Sequence, residues 1–264
     1  MIFILEYIPA AVVFALGLIF GSFANVVIHR LPRELSVVKP RSFCPPCQKT
    51  IPWWGNIPLF SYIFLRAKCA FCKAPISPRY FFVELLTAVL FLASYLSAGW
   101  GWKLLFLFYL NFALVVIFFI DLEFCIIPDW FTLPGILLGM GYAVLNPAVG
   151  WQNGLIGFLV GGGGFLLLAY MGQLIFKKES MGGGDIKMAA MLGAFLGWQK
   201  LLLVFFLASL VAVLTFFVIR LLKPKSLADR LIPFGPFLVF AALVAYYWGG
   251  ALISLYTERF LAIR

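Results

Sequence analysis

Charged side chains are scarce in this sequence of 264 residues. Asp, Glu, Lys and Arg make up 11% of the chain, while 64% of its residues are hydrophobic. Soluble domains are about a quarter charged and about half apolar, so this composition excludes an ordinary soluble globule. Apolar runs long enough to cross about 30 Å of hydrocarbon occur several times. The sequence therefore predicts an all-α, polytopic membrane protein.

Histidine is nearly absent, which excludes several kinds of catalytic site. His29 is the only histidine, and it lies beside Arg30 at the end of the first apolar run. A Ser-His-Asp triad or a Cys-His pair would have to use it, and a His-Glu-x-x-His zinc motif needs two histidines. A Gly-x-Gly-x-x-Gly nucleotide loop is also missing. Catalysis, if present, has to rest on other side chains.

Eight apolar segments are predicted to cross the membrane. They lie near residues 8–28, 82–98, 103–120, 131–146, 153–176, 187–199, 200–222 and 233–256, the sixth being short. The first has no Lys or Arg before it and no small-residue cleavage site after it. We therefore expect it to stay as a membrane helix and not to be removed as a signal peptide.

Basic residues favour one orientation of these segments. With the N-terminus outside, sixteen of the twenty Lys and Arg residues fall on the cytoplasmic side, leaving Lys103, Lys200, Arg259 and Arg264 outside. This asymmetry follows the positive-inside rule. The basic residues are scattered between spans and are not gathered on one soluble face, so we expect no nucleic-acid partner.

A cysteine-rich insertion separates the first two spans, at residues 29–80. Two Cys-x-x-Cys motifs lie in it, and they are formed by Cys44, Cys47, Cys69 and Cys72. Their spacing is typical of four-thiolate zinc ribbons. A pair of disulfides or a redox motif is the alternative, but the predicted compartment is the reducing cytoplasm. We therefore predict a structural zinc ion, which a domain of about 50 residues needs to be stable.

Three aspartates lie at the predicted ends of spans, on the same side of the membrane. They are Asp121, Asp129 and Asp185, the last following three glycines. Ionisable residues at membrane depth are costly and usually functional. Two neighbouring carboxyl groups can share a proton and perform aspartyl hydrolysis. We favour this role for Asp121 and Asp185, whereas Asp129 suits the N-cap of a helix. A proton or cation path in an ion-coupled transporter is the alternative.

Glycines cluster inside two predicted spans, at Gly161–Gly164 and at Gly135, Gly139 and Gly141. Small residues let membrane helices approach closely. We interpret both clusters as helix-packing surfaces.

Several motifs, in order along nearly the whole chain, resemble those of bacterial type IV prepilin peptidases, also called prepilin leader peptidase/N-methyltransferases. The motifs are Gly21–Pro32, Ile51–Pro58, Ser61-Tyr62, Arg66–Cys69, Pro75–Tyr80, Glu84–Thr87, Ile120–Asp129 and Gly182–Lys187. The last contains the Gly-x-Gly-Asp motif of that family.

This resemblance implies a function and a division of the chain. Residues 1–28 would form the first membrane helix, 29–80 the zinc-binding domain and methyltransferase region, and 81–264 the aspartyl peptidase with Asp121 and Asp185 as its pair. Family members cut the basic leader from type IV prepilins or type II secretion pseudopilins at the cytoplasmic face of the inner membrane. They then methylate the new N-terminal amine with S-adenosylmethionine.

The methyl-transfer activity rests on the resemblance alone, and a peptidase without it is the alternative. If methyl transfer occurs, we expect it in the insertion and the adjoining span ends. The candidate residues for holding the methyl donor are Gly21, Asn25, Arg30, Arg66, Lys68, Arg79 and Glu84.

Overall fold

The computed structural model of the chain describes residues 2–177, 181–222 and 232–261. Within these ranges the regular structure is helical, apart from two isolated β-bridges. The α-helices there are α1 (Ile2–Arg30), α2 (Phe60–Phe64), α3 (Pro78–Ala98), α4 (Trp102–Phe124), α5 (Asp129–Leu145), α6 (Trp151–Phe176), α7 (Gly183–Leu196), α8 (Trp198–Leu222) and α9 (Gly235–Tyr256). The all-α prediction is confirmed.

Six of these helices are long and apolar enough to cross a membrane. They are α1, α3, α4, α6, α8 and α9, and each lies on a predicted span. The other two predicted spans correspond to α5, with 17 residues, and α7, with 14. Of the basic residues that predicted the topology, Lys178, Lys223, Lys225, Arg230 and Arg264 lie outside the described residues.

The chain divides into two compact units, Met1–Val116 and Ile117–Arg264. In the first unit, α1 packs along α3. A Cβ atom added at Gly17 would lie 2.5 Å from the Cα atom of Ala88, and one at Gly21 would lie 2.6 Å from the Cα atom of Glu84. This Gly-x-x-x-Gly pattern on α1 therefore allows the two backbones to approach closely.

The first unit also contains the insertion between α1 and α3. Two 3₁₀ turns, Leu31–Arg33 and Trp53–Asn56, and the short α2 are its helical elements. The insertion ends at Ser77, whose hydroxyl accepts a hydrogen bond from the Arg79 backbone at 3.3 Å and caps α3. Pro78 follows as the first residue of that helix, a position that suits its fixed φ angle.

The second unit is built around α7. All nine residues from Met188 to Leu196 are buried, and α5, α6, α8 and α9 all contact this helix. A Cβ atom at Gly161 would collide with the Ala189 backbone, and one at Gly139 would lie 2.8 Å from the Phe195 ring. The packing interpretation of the glycine clusters is correct for these two positions.

The same interpretation is wrong for the end of the first cluster. Cβ atoms at Gly163 and Gly164 would meet nothing within 4 Å. One face of α6 therefore packs against α7, and these two glycines lie off that face.

Candidate active site and metal centre

The four cysteines of the insertion form two knuckles of the same construction. In each, the first cysteine carbonyl accepts a hydrogen bond from the residue four positions later, Gln48 at 2.7 Å and Lys73 at 3.1 Å. Both of those residues have a positive φ angle, near 58°. Each knuckle is closed by an antiparallel bridge, Phe43 to Thr50 in one and Lys68 to Pro75 in the other. The repeated turn aims each pair of thiols towards the other pair.

The thiol geometry fits a tetrahedral metal site. All four sulfur atoms lie within 4.8 Å of one another, and the Sγ atoms of Cys44 and Cys72 are 3.7 Å apart. Zinc–thiolate bonds of about 2.3 Å in a tetrahedron put sulfur atoms roughly 3.8 Å apart. The Phe71 backbone N–H donates to the Sγ atom of Cys69 at 3.4 Å, which favours the thiolate form. These four cysteines can therefore hold a metal ion, whereas Cys125 is exposed and outside the cluster.

Asp121 lies in the last turn of α4, at the polar end of a long apolar helix. Its side chain is only 5% exposed. The backbone N–H of Gly235 donates a hydrogen bond of 2.9 Å to its Oδ2 atom. This donor lies at the N-terminus of α9, where unpaired backbone N–H groups favour a negative charge.

Asp185 lies in the first turn of α7, which is not one of the six candidate spans. Burial, and then the negative charge of Asp121, raise the pKa of Asp185 from 3.8 to about 6, against a smaller lowering by a hydrogen bond from the Gly182 backbone. Its Oδ1 atom is buried without a hydrogen-bond partner. The fold thus brings the two predicted carboxyl groups close enough to interact electrostatically.

Glycines are required next to both carboxyl groups. A Cβ atom at Gly184 would lie 2.7 Å from the Cβ atom of Ile127, and one at Gly235 would lie 2.5 Å from Oδ2 of Asp121. Gly183 and Gly184 belong to the first turn of α7 and not to a free loop. Close packing, and not loop freedom, explains Gly184.

Asp129, the third aspartate, has a different partner. It forms a bidentate ion pair with Lys187, whose Nζ atom lies 2.8 and 2.7 Å from the two carboxylate oxygens. Pro128 is the N-cap of α5, so Asp129 is the first helical residue and not the predicted cap. The ion pair joins the start of α5 to the start of α7.

Sequence reasoning missed Gly235 and the partner role of Lys187. The signal for Gly235 was the pair Gly235-Pro236, because proline is favoured in the first turn of a helix. That pair predicts a helix start, and the backbone N–H groups there are unpaired. Nothing local indicates that Asp121 accepts from one of them, since the two residues are 114 positions apart.

The seven residues predicted to hold a methyl donor all lie in the first unit. Three of them, Asn25, Arg30 and Glu84, are buried and line a cavity of about 540 Å³. The other four, Gly21, Arg66, Lys68 and Arg79, are not among its lining residues.

Comparison with known families gives two matches in order along the chain. Residues 15–98 match the Bacterial Peptidase A24 N-terminal domain, and residues 104–218 match the Type IV leader peptidase family. The first range contains the four cysteines, and the second contains Asp121 and Asp185. Gly235 lies beyond both ranges.

Comparison with individual proteins finds relatives along most of the chain. A prepilin leader peptidase/N-methyltransferase of Aeromonas hydrophila is 37% identical, over 97% of this chain and 97% of the relative. One of Pseudomonas aeruginosa is 36% identical, over 92% and 91%. One of Myxococcus xanthus is 44% identical over 76% of this chain, which covers 60% of that relative. No solved structure matches the chain.

Proposed function

Because this chain belongs to the Type IV leader peptidase family, we propose that it removes the leader peptide from prepilins or pseudopilins and methylates the new N-terminal residue. The interacting carboxyl pair of Asp121 and Asp185 carries the peptidase part of this proposal. The predicted prepilin peptidase identity agrees with the names of the relatives.

Peptide hydrolysis by this pair needs one ionised and one protonated carboxyl group. The ionised group takes a proton from water as the water oxygen attacks the scissile carbonyl carbon. The protonated group gives its proton to the carbonyl oxygen, so a neutral tetrahedral diol forms. The diol then collapses and the carbon–nitrogen bond breaks. The leaving nitrogen takes the proton held by the first carboxyl group, and a hydroxyl group of the diol returns a proton to the second carboxylate, so both carboxyl groups regain their starting states.

The surroundings of the two carboxyl groups support a division of these roles. Asp121 accepts the Gly235 N–H at the start of α9, which favours its ionised form. Asp185 has a pKa raised to about 6, and a buried oxygen without a partner favours a protonated carboxyl group. We therefore assign Asp121 as the general base and Asp185 as the general acid.

The metal centre has a structural role in this proposal. Four thiolates complete a tetrahedral zinc site and leave no position for a water molecule, so the ion would not take part in hydrolysis. Cys44, Cys47, Cys69 and Cys72 would instead fix the two knuckles of an insertion that has few buried apolar side chains.

Methyl transfer is placed in the first unit, at the insertion and the adjoining ends of α1 and α3. S-adenosylmethionine would supply the methyl group there, and Asn25, Arg30 and Glu84 are the buried residues that would hold it. Burial of Asn25, Arg30 and Glu84 around one cavity supports three of the seven predicted residues. No observation supports a donor-binding role for Gly21, Arg66, Lys68 or Arg79.

The bacterial inner membrane is the proposed location, with both sites facing the cytoplasm. Six helices long and apolar enough to cross a membrane support the membrane location. The positive-inside asymmetry supports the orientation. Reaction of an engineered cysteine near Lys187 with an impermeant thiol reagent, in inside-out vesicles but not in intact cells, would test it.

Mass spectrometry of a prepilin incubated with the purified protein tests both activities together. We expect loss of the leader in every reaction and one added methyl group only when S-adenosylmethionine is present. An uncut prepilin would overturn the peptidase assignment. A cut but unmethylated product would show a peptidase without methyl transfer.

A further inference from the structure

The cavity of the first unit has the size of a small-molecule site. Its volume of about 540 Å³ lies within the roughly 300–1,000 Å³ of ligand pockets. Trp54, Tyr62 and Phe71 are among the aromatic side chains that line it. Such walls suit a flat ring or a cation with an apolar body.

Two buried residues give this cavity unused hydrogen-bond acceptors. Asn25 is 2% exposed, and its Nδ2 group donates to the Tyr80 and Gly21 carbonyls at 3.1 and 3.4 Å. Its Oδ1 atom has no partner, although a buried polar atom normally has one. This oxygen is therefore available to a ligand that carries a donor or a positive charge.

Glu84 adds a carboxyl group to the same lining. It is 8% exposed, and its Oε2 atom accepts the Leu59 backbone N–H at 2.8 Å. Ser22 makes a further side-chain hydrogen bond to it. A carboxylate accepts about four hydrogen bonds, so Glu84 keeps acceptor capacity for a ligand.

Two basic residues of the cavity lining have different roles: Arg30 is buried and holds a loop, whereas Lys39 is exposed. Arg30 is 7% exposed, and its guanidinium group donates to the Ser36 and Pro40 carbonyls at 2.9 and 2.8 Å, which holds the loop between them. Lys39 lies on that loop, is exposed, and also lines the cavity. The cavity therefore has buried acceptors and an exposed cationic edge.

We propose that this cavity holds S-adenosylmethionine with its sulfonium against Asn25 and Glu84 and its carboxylate at Lys39. This proposal rests on the methyl transfer proposed above and adds how the donor is recognised. S-adenosylhomocysteine lacks the positive charge on sulfur, so Glu84 would hold it less tightly than S-adenosylmethionine.

Titration calorimetry on the purified, detergent-solubilised full chain tests this proposal. We expect S-adenosylmethionine to bind more tightly than S-adenosylhomocysteine. Glu84→Gln should weaken S-adenosylmethionine binding at least about tenfold and remove most of that preference. Lys39→Gln should weaken both ligands about two- to fivefold, because its site is exposed.

The matched control is Lys73→Gln, because Lys73 is an exposed basic residue of the same insertion that does not line the cavity. It should bind both ligands as the unmodified protein does. Prepilin cleavage by each variant shows whether that variant is folded. Lys39→Gln changes only an exposed residue, so it still tests the proposal if Glu84→Gln fails to fold.

The possible failures are distinguishable. If Glu84→Gln keeps the preference for S-adenosylmethionine, or if Lys39→Gln binds as Lys73→Gln does, this recognition scheme is wrong while methyl transfer stands. If the unmodified protein cuts a prepilin but never methylates it, the proposed transferase function is itself wrong.

Discussion

The backbone N–H of Gly235 donates a hydrogen bond of 2.9 Å to the Oδ2 atom of Asp121. The residues are 114 positions apart in sequence, and this contact joins the end of α4 to the start of α9. It gives Asp121 an ordered donor in a buried site. In our account this contact orients the carboxylate that activates water.

A Gly235→Ala substitution should therefore lower the turnover of prepilin cleavage strongly. The new Cβ atom would lie 2.5 Å from Oδ2 of Asp121, so the carboxylate must move away from its donor. We expect a loss of about a hundredfold or more, similar to the loss when an active site loses a preorganised hydrogen-bond donor. Gly250→Ala in the same helix, where a Cβ atom meets nothing within 4 Å, is the control. Equal activity of the two variants would contradict the positioning role.

Asp185 should make stability depend on pH in a specific direction. Its pKa is raised from 3.8 to about 6 in the folded protein, so its contribution to stability is full below 3.8 and is lost as the pH rises through about 6. Over this pH range the free energy of unfolding falls by about 1 to 3 kcal/mol. Asp185→Asn should thus melt at a higher temperature than the unmodified protein near pH 8 and at a similar one near pH 4.

Thermal melts in detergent at both pH values check this expectation. Asp129→Asn is the control, because Asp129 pairs with Lys187 and gains nothing from neutralisation. A higher melting temperature of Asp185→Asn at both pH values alike would contradict the pH linkage.

Metal analysis should find about one zinc ion per chain. The double variant Cys69→Ser, Cys72→Ser should lose the metal and lower the melting temperature, because metal binding stabilises the fold that it requires. Cys125→Ser should keep the metal, since Cys125 is outside the cluster. Zinc retained by the double variant would rule out the four-thiolate site.

Much of the fold follows from the sequence because lipid imposes simple rules on length and hydropathy. The ends of α1, α6 and α8 fall within a few residues of prediction, apart from the extra first turns of α1. The two cysteine knuckles could be predicted from the spacing of the Cys-x-x-Cys motifs, and the structure brings their four sulfur atoms together.

The carboxyl pair could be predicted only in part. Elimination of histidine chemistry pointed to aspartates, the N-cap interpretation of Asp129 favoured Asp121, and the family resemblance then implied Asp121 and Asp185 as the pair. The structure adds a reason that no local pattern contains, namely that Lys187 pairs with Asp129. The Gly235 donor was missed because it depends on a contact between distant helices.

The sequence alone could not show which glycines of α6 pack against another helix, because Gly161–Gly164 are four consecutive glycines with similar neighbours. Gly161→Ala should destabilise the protein, since its Cβ atom would collide with the Ala189 backbone. Gly164→Ala should be neutral or stabilising by up to about 1 kcal/mol, because alanine is the better helix former and the space is open. Melting temperatures of the two variants compare them directly, and a reversed order would refute the packing of α6 on α7.

Cleavage of a prepilin by three asparagine variants tests the central claim most directly. Asp121→Asn and Asp185→Asn should each abolish cleavage, because each removes one of the two carboxyl groups that transfer protons. Asp129→Asn should retain much of it, because that residue makes an exposed ion pair worth about 1 kcal/mol or less. Normal cleavage by either of the first two variants, with all three folded, would contradict the account.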